Sequence, residues 1–196
     1  MLVWRLAEPA LAISTSGLGG GIGERRWLLN VSVPGDYDRP DPADHLAEIA
    51  YGLGLQGPGV GLLTAIDVAG FVELGDGGVR VWATVGLSAA IQAFDPGSVP
   101  AAAPHVGTIN IVAWVPRRLS DGALVNAVTT ITEAKTQALR DLGLAATGTA
   151  SDAVCVLCPP NGPEASQAGP RSLWGEPLAR AAYRVVLDGG RAEAGQ

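Results

Sequence analysis

The sequence predicts one α/β (or α+β) domain: a mixed parallel and antiparallel sheet containing a hairpin, with helices packed against it. Three observations carry this prediction. GTINIVAWVP, a long helical pattern and AVCVLC follow one another as strand, helix and strand, a crossover that makes the two strands parallel if they share a sheet. FVELGDGGVRVWATVGL reads as two alternating strands about a turn, which adds antiparallel pairing. The chain has 196 residues, 47% of them apolar, enough to fill one core. No internal repeat divides it, so a single domain is expected over residues 1–190, with 191–196 a frayed tail rich in Gly and Ala.

The first third offers strands at residues 10–14 and 27–33, separated by SGLGGGIGERR. After the loop PGDYDRPDP, Asp41 suits an N-cap and Pro42 a first helical position, and Leu46, Ile49, Ala50 and Leu53 make one stripe before Gly54 stops the helix. A compact apolar strand follows at 60–66. The hairpin turn is expected at Asp76-Gly77, which would pair Leu74 with Val79 and Glu73 with Arg80. GTINIVAWVP is apolar on both faces except at Thr108 and Asn110, as befits a central strand covered on both sides. Ser120 or Asp121 caps the long helix, which runs to about Gly143; a strand at 153–158 and a helix at about 173–187 complete the chain.

The long helix holds Lys135, the only lysine beside twelve arginines. At 100° per residue, Leu124, Val128, Ile131, Ala138, Leu139 and Leu142 fall within a stripe about 100° wide, and Lys135 lies in its middle. Glu133 faces the opposite way, so the two cannot pair locally. Two readings stay open: the stem runs along the apolar stripe while the ammonium snorkels to water, or the ammonium sits in a partly dry site that requires a carboxylate. In a parallel crossover this part of the helix lies over the strand starts, which bring Thr108, Asn110 and Asp152 within reach. One cation, one carboxylate, one hydroxyl and one amide would then converge. Against this stands the habit of open parallel sheets to bind ligands at the carboxyl ends of their strands.

Thirteen basic against nineteen acidic residues give a net charge of −6, with no basic cluster beyond Arg25-Arg26 and Arg117-Arg118, which argues against nucleic acid as a partner. No apolar run is long enough to cross a bilayer, and Arg5 and Glu8 interrupt the start where a secretion signal needs an apolar stretch, so a cytoplasmic location and no membrane partner are expected. Cys155 and Cys158 would point to opposite faces of one strand, which suits buried thiols better than a redox or zinc pair. SGLGGGIG has neither the dinucleotide spacing nor a P-loop Lys-Ser/Thr. Gly19, Gly20 and Gly21 could still let a ligand approach bare backbone N–H groups, the alternative being a plain turn. No serine-hydrolase elbow or zinc-protease helix is present. His45 and His105 are candidate bases or structural histidines, and Asp36, Tyr37 and Asp38 form a polar loop knot.

NVSVPGDYDRPDPADHLAEIA, VGLLTAIDV, VRVWATVGL, GTINIVAWVPRRLSDGALVNAVTTITEAKTQAL and ATGTASDAVCVLCP together resemble, in order and spacing over residues 30–159, the adenosylcobinamide amidohydrolase family. The resemblance implies hydrolysis of the amide that joins the aminopropanol arm to the corrin ring, giving adenosylcobyric acid and 1-amino-2-propanol for re-entry into cobalamin synthesis. The corrinoid is then the substrate, and neither a cofactor nor a metal is called for. Matched motif positions are Thr132, Glu133 and Lys135, Thr108 and Asn110, Thr149 and Asp152, and, earlier, Asn30 and Tyr37. Ser14, Ser16 and the glycine run lie outside the matching stretch.

Amide hydrolysis needs an attacking oxygen, donors for the oxyanion and a proton for the departing amine. Asp152 with Lys135 is the expected proton-handling pair, acting on water or on Thr108. Asn110 and the glycine-loop N–H groups are the expected oxyanion donors. Glu133 is a further catalytic candidate whose predicted face is outside, so that either it lies at a subunit contact in a homo-oligomer or the helix is phased differently. Gly19, Gly20, Gly21, Asn30, Tyr37 and Thr149 are the expected substrate contacts. The other readings are a corrinoid-binding module without hydrolysis and a structural subunit with its tryptophans at an interface.

Overall fold

The computed structural model describes residues 1–96 and 107–195. His105 and most of the loop DPGSVPAAAPHV lie outside the described residues. Chain order is β1 (Leu2–Ser14), β2 (Gly21–Ser32), α1 (Pro42–Gly52), β3 (Gly59–Thr64), β4 (Val72–Asp76), β5 (Val79–Val85), β6 (Ile109–Trp114), β7 (Arg118–Leu119), α2 (Asp121–Asp141), β8 (Ala153–Cys158), β9 (Glu164–Ala165) and α3 (Gly175–Glu193). Seven strands form one mixed sheet in the order β3-β2-β1-β8-β6-β5-β4, and β7 pairs with β9 in a small second sheet. β6 and β8 are adjacent and parallel, joined by α2, as a crossover requires.

Side-chain alternation sorts the sheet into two faces. On one, Val81, Ile109, Ile111, Ala113, Val154, Val156 and Cys158 meet the apolar stripes of α2 and α3. On the other, Leu28, Val60, Leu62, Val112, Cys155 and Leu157 pack together although β3 and β6 are four places apart in the sheet. The sheet therefore folds over on itself. The register of β1 against β2 slips between Arg5 and Ala10, and such a bulge bends a strand and raises its twist. Trp4 and Trp82 meet edge to face with ring centroids 6.4 Å apart, and both pack with Trp114 on this inner core. None of the five tryptophans is exposed, so they form no surface cluster. α1 packs Leu46 and Ala50 on the back of β2 and β3.

Several local expectations are corrected. The hairpin turns at Gly77-Gly78, pairing Asp76 with Val79, Leu74 with Val81 and Glu73 with Trp82. Both turn residues have positive φ (55° and 87°), which two glycines adopt without the steric cost an aspartate would bear. This shift of one turn position leaves every side chain on its expected face, and Glu73 and Arg80 still form their ion pair as diagonal neighbours. Asp41 holds the N-cap position of α1 but caps nothing with its side chain, because the Arg39 guanidinium takes both carboxylate oxygens at 2.9 and 2.7 Å. Ser120, by contrast, caps α2, accepting from Ala123 N at 3.1 Å. α3 runs on to Glu193, six residues beyond the expected end. Its Gly189 and Gly190 pack on Val85 and Leu142, where any side chain would collide.

Candidate functional site

Where the folded sheet meets itself, the inner apolar layer gives way to polar side chains. Asn30 on β2, Thr84 on β5 and Asn110 on β6 are all buried. Asn110 Nδ2 donates to the Leu63 carbonyl and to Asn30 Oδ1, each at 2.9 Å, and Asn30 Nδ2 donates to Thr84 Oγ1 at 3.0 Å. Because a backbone carbonyl can only accept, Leu63 fixes which way the Asn110 amide lies, and each amide then fixes the next. The expectation that Asn110 supplies N–H groups to an oxyanion is not met. Both of its hydrogens are already engaged.

A cavity of about 680 Å³ opens over this layer. Its walls come from the ends of five strands: Thr15 and Ser16 after β1, Tyr37 and Asp38 after β2, Leu63 and Ala65 at the end of β3, and Thr108, Ser151 and Asp152 ahead of β6 and β8. The objection about carboxyl ends is thereby met in an unforeseen way. Folding of the sheet sets the carboxyl ends of the parallel pair β2 and β3 against the amino ends of the parallel pair β6 and β8.

Lys135 is 7% exposed, and its Nζ bonds and ion-pairs with Asp152 Oδ2. The snorkelling reading is excluded. Asp152 also accepts from Thr149 N at 3.1 Å on Oδ2, and from Ile109 N at 3.0 Å and Thr149 Oγ1 at 2.5 Å on Oδ1. Four donors occupy the roughly four lone-pair directions of a carboxylate, so the body of α2, the TGTASD turn and the start of β6 are tied at one point. Gly148 completes the tie, since a Cβ there would collide with both Lys135 Nζ and Asp152 Oδ2. Beside it, Thr108 Oγ1 and Ser151 Oγ share a 2.6 Å hydrogen bond on the cavity wall.

Across the cavity the Tyr37 hydroxyl meets His45 Nδ1 at 3.0 Å, with the two rings stacked. Burial pushes the Tyr37 phenol above its usual value, opposed by Arg39 and reinforced by Asp41 and Glu48, so it remains a proton donor at neutral pH. Ser16 donates to the Gly61 carbonyl, strapping the chain after β1 onto β3.

The structure thus brings together Lys135, Asp152, Thr108, Thr149, Asn110, Asn30 and Tyr37. It does not bring Glu133, which is exposed on the outer face of α2 as its phase predicted. Nor do Gly19, Gly20 and Gly21 line the cavity. Arg25 takes the carbonyls of Gly19 and Gly20, and Gly19, at φ 77°, lies so close to Gly59 O that no Cβ fits. Gly19 and Gly20 serve backbone packing, and Gly21, with open space where a Cβ would stand, serves its positive φ of 79°. Sequence reasoning missed Thr15, Thr84 and Ser151. Ser151 lies inside the matched TGTASD block, and Thr84 is the buried polar residue of β5, on the face it shares with Trp82; each carried a signal. Among the described residues no group of three or more His, Cys, Asp or Glu side chains converges as a metal site needs, and no helix is long and apolar enough to cross a membrane.

The family model of adenosylcobinamide amidohydrolase (CbiZ) matches residues 1–196. An adenosylcobinamide amidohydrolase of Methanosarcina mazei is 31% identical over 187 residues, 91% of this chain and 88% of the relative. One of Halobacterium salinarum is 34% identical over 197 residues, 95% of this chain and 84% of that protein. A match of this extent, covering every strand and helix that builds the cavity, settles kinship: the chain belongs to the adenosylcobinamide amidohydrolase family.

Proposed function

We propose that this protein hydrolyses the amide between the aminopropanol arm and the corrin ring of adenosylcobinamide, releasing adenosylcobyric acid and 1-amino-2-propanol and so returning the corrinoid to cobalamin synthesis. Family membership supports the substrate. The observation that carries the chemistry is the buried Lys135–Asp152 pair set beside the Thr108–Ser151 hydroxyl couple at the cavity wall. The arm with its amide enters the cavity, and the larger ring stays at the mouth, against the loop that bears Tyr37.

In this reading the attacking oxygen is that of a water, or of Thr108, held at the hydroxyl couple. Its proton passes to the Lys135–Asp152 pair as the Thr149 hydroxyl turns off Asp152 Oδ1 to free a lone pair, and is returned to the departing amine, while the second hydroxyl donates to the developing oxyanion. Thr149 and Ile109 N hold Asp152 in place. The reaction consumes one water and needs no redox partner. Incubation with adenosylcobinamide, followed by mass spectrometry, should show the acid and the free amine. Tight binding without turnover would overturn this reading in favour of a corrinoid-binding module. Thr108→Val should lower kcat by about a hundredfold or more if the hydroxyl takes part; an unchanged kcat removes Thr108 from the mechanism.

A further inference from the structure

Asn110 is 2% exposed, lines the cavity, and donates both hydrogens of its amide to protein acceptors. Its Oδ1 is buried and finds no protein partner among the described residues. A buried acceptor left unpaired is costly, and a protein retains one where something else supplies the donor. Flipping the amide does not relieve it, because Oδ1 would then face the Leu63 carbonyl, acceptor against acceptor. The side chain is locked with its acceptor unused.

We infer that Asn110 Oδ1 accepts the N–H of the scissile amide, making Asn110 the residue that recognises the nitrogen side of the bond. The inference rests on the amidohydrolase reading above and reverses the oxyanion role expected for this residue. A trans amide presents its N–H and C=O on opposite sides. Anchoring the N–H at Asn110 therefore turns the carbonyl away from it, leaving the oxygen to other donors. The ligand class follows: a secondary amide, with an ester or an N-alkylated amide disfavoured because neither carries a hydrogen for Oδ1. An ester oxygen would also set one acceptor against another. As nitrogen departs as an amine it still carries N–H, so the contact persists through bond cleavage.

The test compares adenosylcobinamide with its ester analogue, in which oxygen replaces the amide N–H, using the wild-type protein and Asn110→Leu. Intrinsic ester reactivity cancels in the ratio of ratios. Relative to the wild type, Asn110→Leu should shift the amide-to-ester ratio of kcat/KM by about tenfold or more toward the ester, the value of one neutral hydrogen bond. An equal loss on both substrates means Asn110 is merely structural and overturns the inference while leaving the amidohydrolase reading intact. Absence of amide hydrolysis by the wild type sinks that reading instead. Should the leucine variant fail to fold, the wild type alone decides. The N-methylated amide should compete for the site at least tenfold more weakly than adenosylcobinamide, and equal competition overturns the proposal.

Discussion

Lys135→Met is the most direct probe of how the site is held. The side chains of Lys135 and Asp152 are 9% and 12% exposed, so the pair is buried. Removing one partner of a buried ion pair costs about 3–5 kcal/mol, whereas an exposed pair is worth at most about 1 kcal/mol. Methionine fills the space of the lysine stem, so little packing is lost. Asp152 also keeps Thr149 N, Thr149 Oγ1 and Ile109 N, which still solvate its charge. The cost should therefore fall at the lower end, about 3 kcal/mol. Asp152→Asn should cost more, about 4–5 kcal/mol. All four neighbours of that carboxylate are donors, so the new NH2 group must face donors, and Lys135 is left without an anion. Because the two changes share one interaction, the double variant should cost about 2 kcal/mol less than the sum of the singles. Urea unfolding at pH 7, read by tryptophan fluorescence, measures all three. A cost below about 1 kcal/mol for Lys135→Met would refute the reasoning, since it would put the ammonium in an environment no drier than the surface.

Gly148→Ala should mimic part of that loss without touching a charge, because its methyl would collide with both Lys135 Nζ and Asp152 Oδ2; a drop in kcat of tenfold or more is expected in steady-state assays, against no change if the turn can yield. Glu133→Gln should leave kcat/KM within about twofold, as the side chain lies on the outer face of α2 and a neutral surface change is worth little. Burial pushes the Cys155 thiol up to about 12. With the folded value raised, the neutral thiol persists throughout the neutral range and the thiolate forms only near that pH. Iodoacetamide at pH 8 should then leave Cys155 unmodified in the folded protein and label it in urea, as read by peptide mass spectrometry.

Much of the framework was legible because local rules decided it. The β6–α2–β8 crossover, its parallel pairing, the Ser120 cap and the opposed faces of Cys155 and Cys158 all follow from periodicity and short-range hydrogen bonding. Lys135 was legible for the same reason: helical phase alone put a cation in an apolar stripe, and the crossover brought Asp152 to it. The errors arose where local alternatives were nearly equal. Asp76-Gly77 and Gly77-Gly78 are both plausible turn pairs, and the positive φ demanded at both central positions chose the second. Asp41 is a good cap by type, but Arg39, two residues earlier, offered its carboxylate two charged hydrogen bonds.

The cavity itself was not legible, and the reason is geometric. It exists because the bulge in β1 lets β2 and β3 fold over β6, bringing Leu63 and Asn110, 47 positions apart in sequence, within hydrogen-bond distance. Periodicity assigns a residue to a face of its own strand but does not say which other strand that face will meet. Asn30, Thr84 and Asn110 could each be placed on a face by parity. Only the fold-over makes them one network, and that network decides whether Asn110 offers hydrogen or lone pair to a ligand. The chemistry of a site read from residue types alone can therefore be right in its members and inverted in their roles, since an asparagine is donor and acceptor at once until a neighbour such as the Leu63 carbonyl removes the choice.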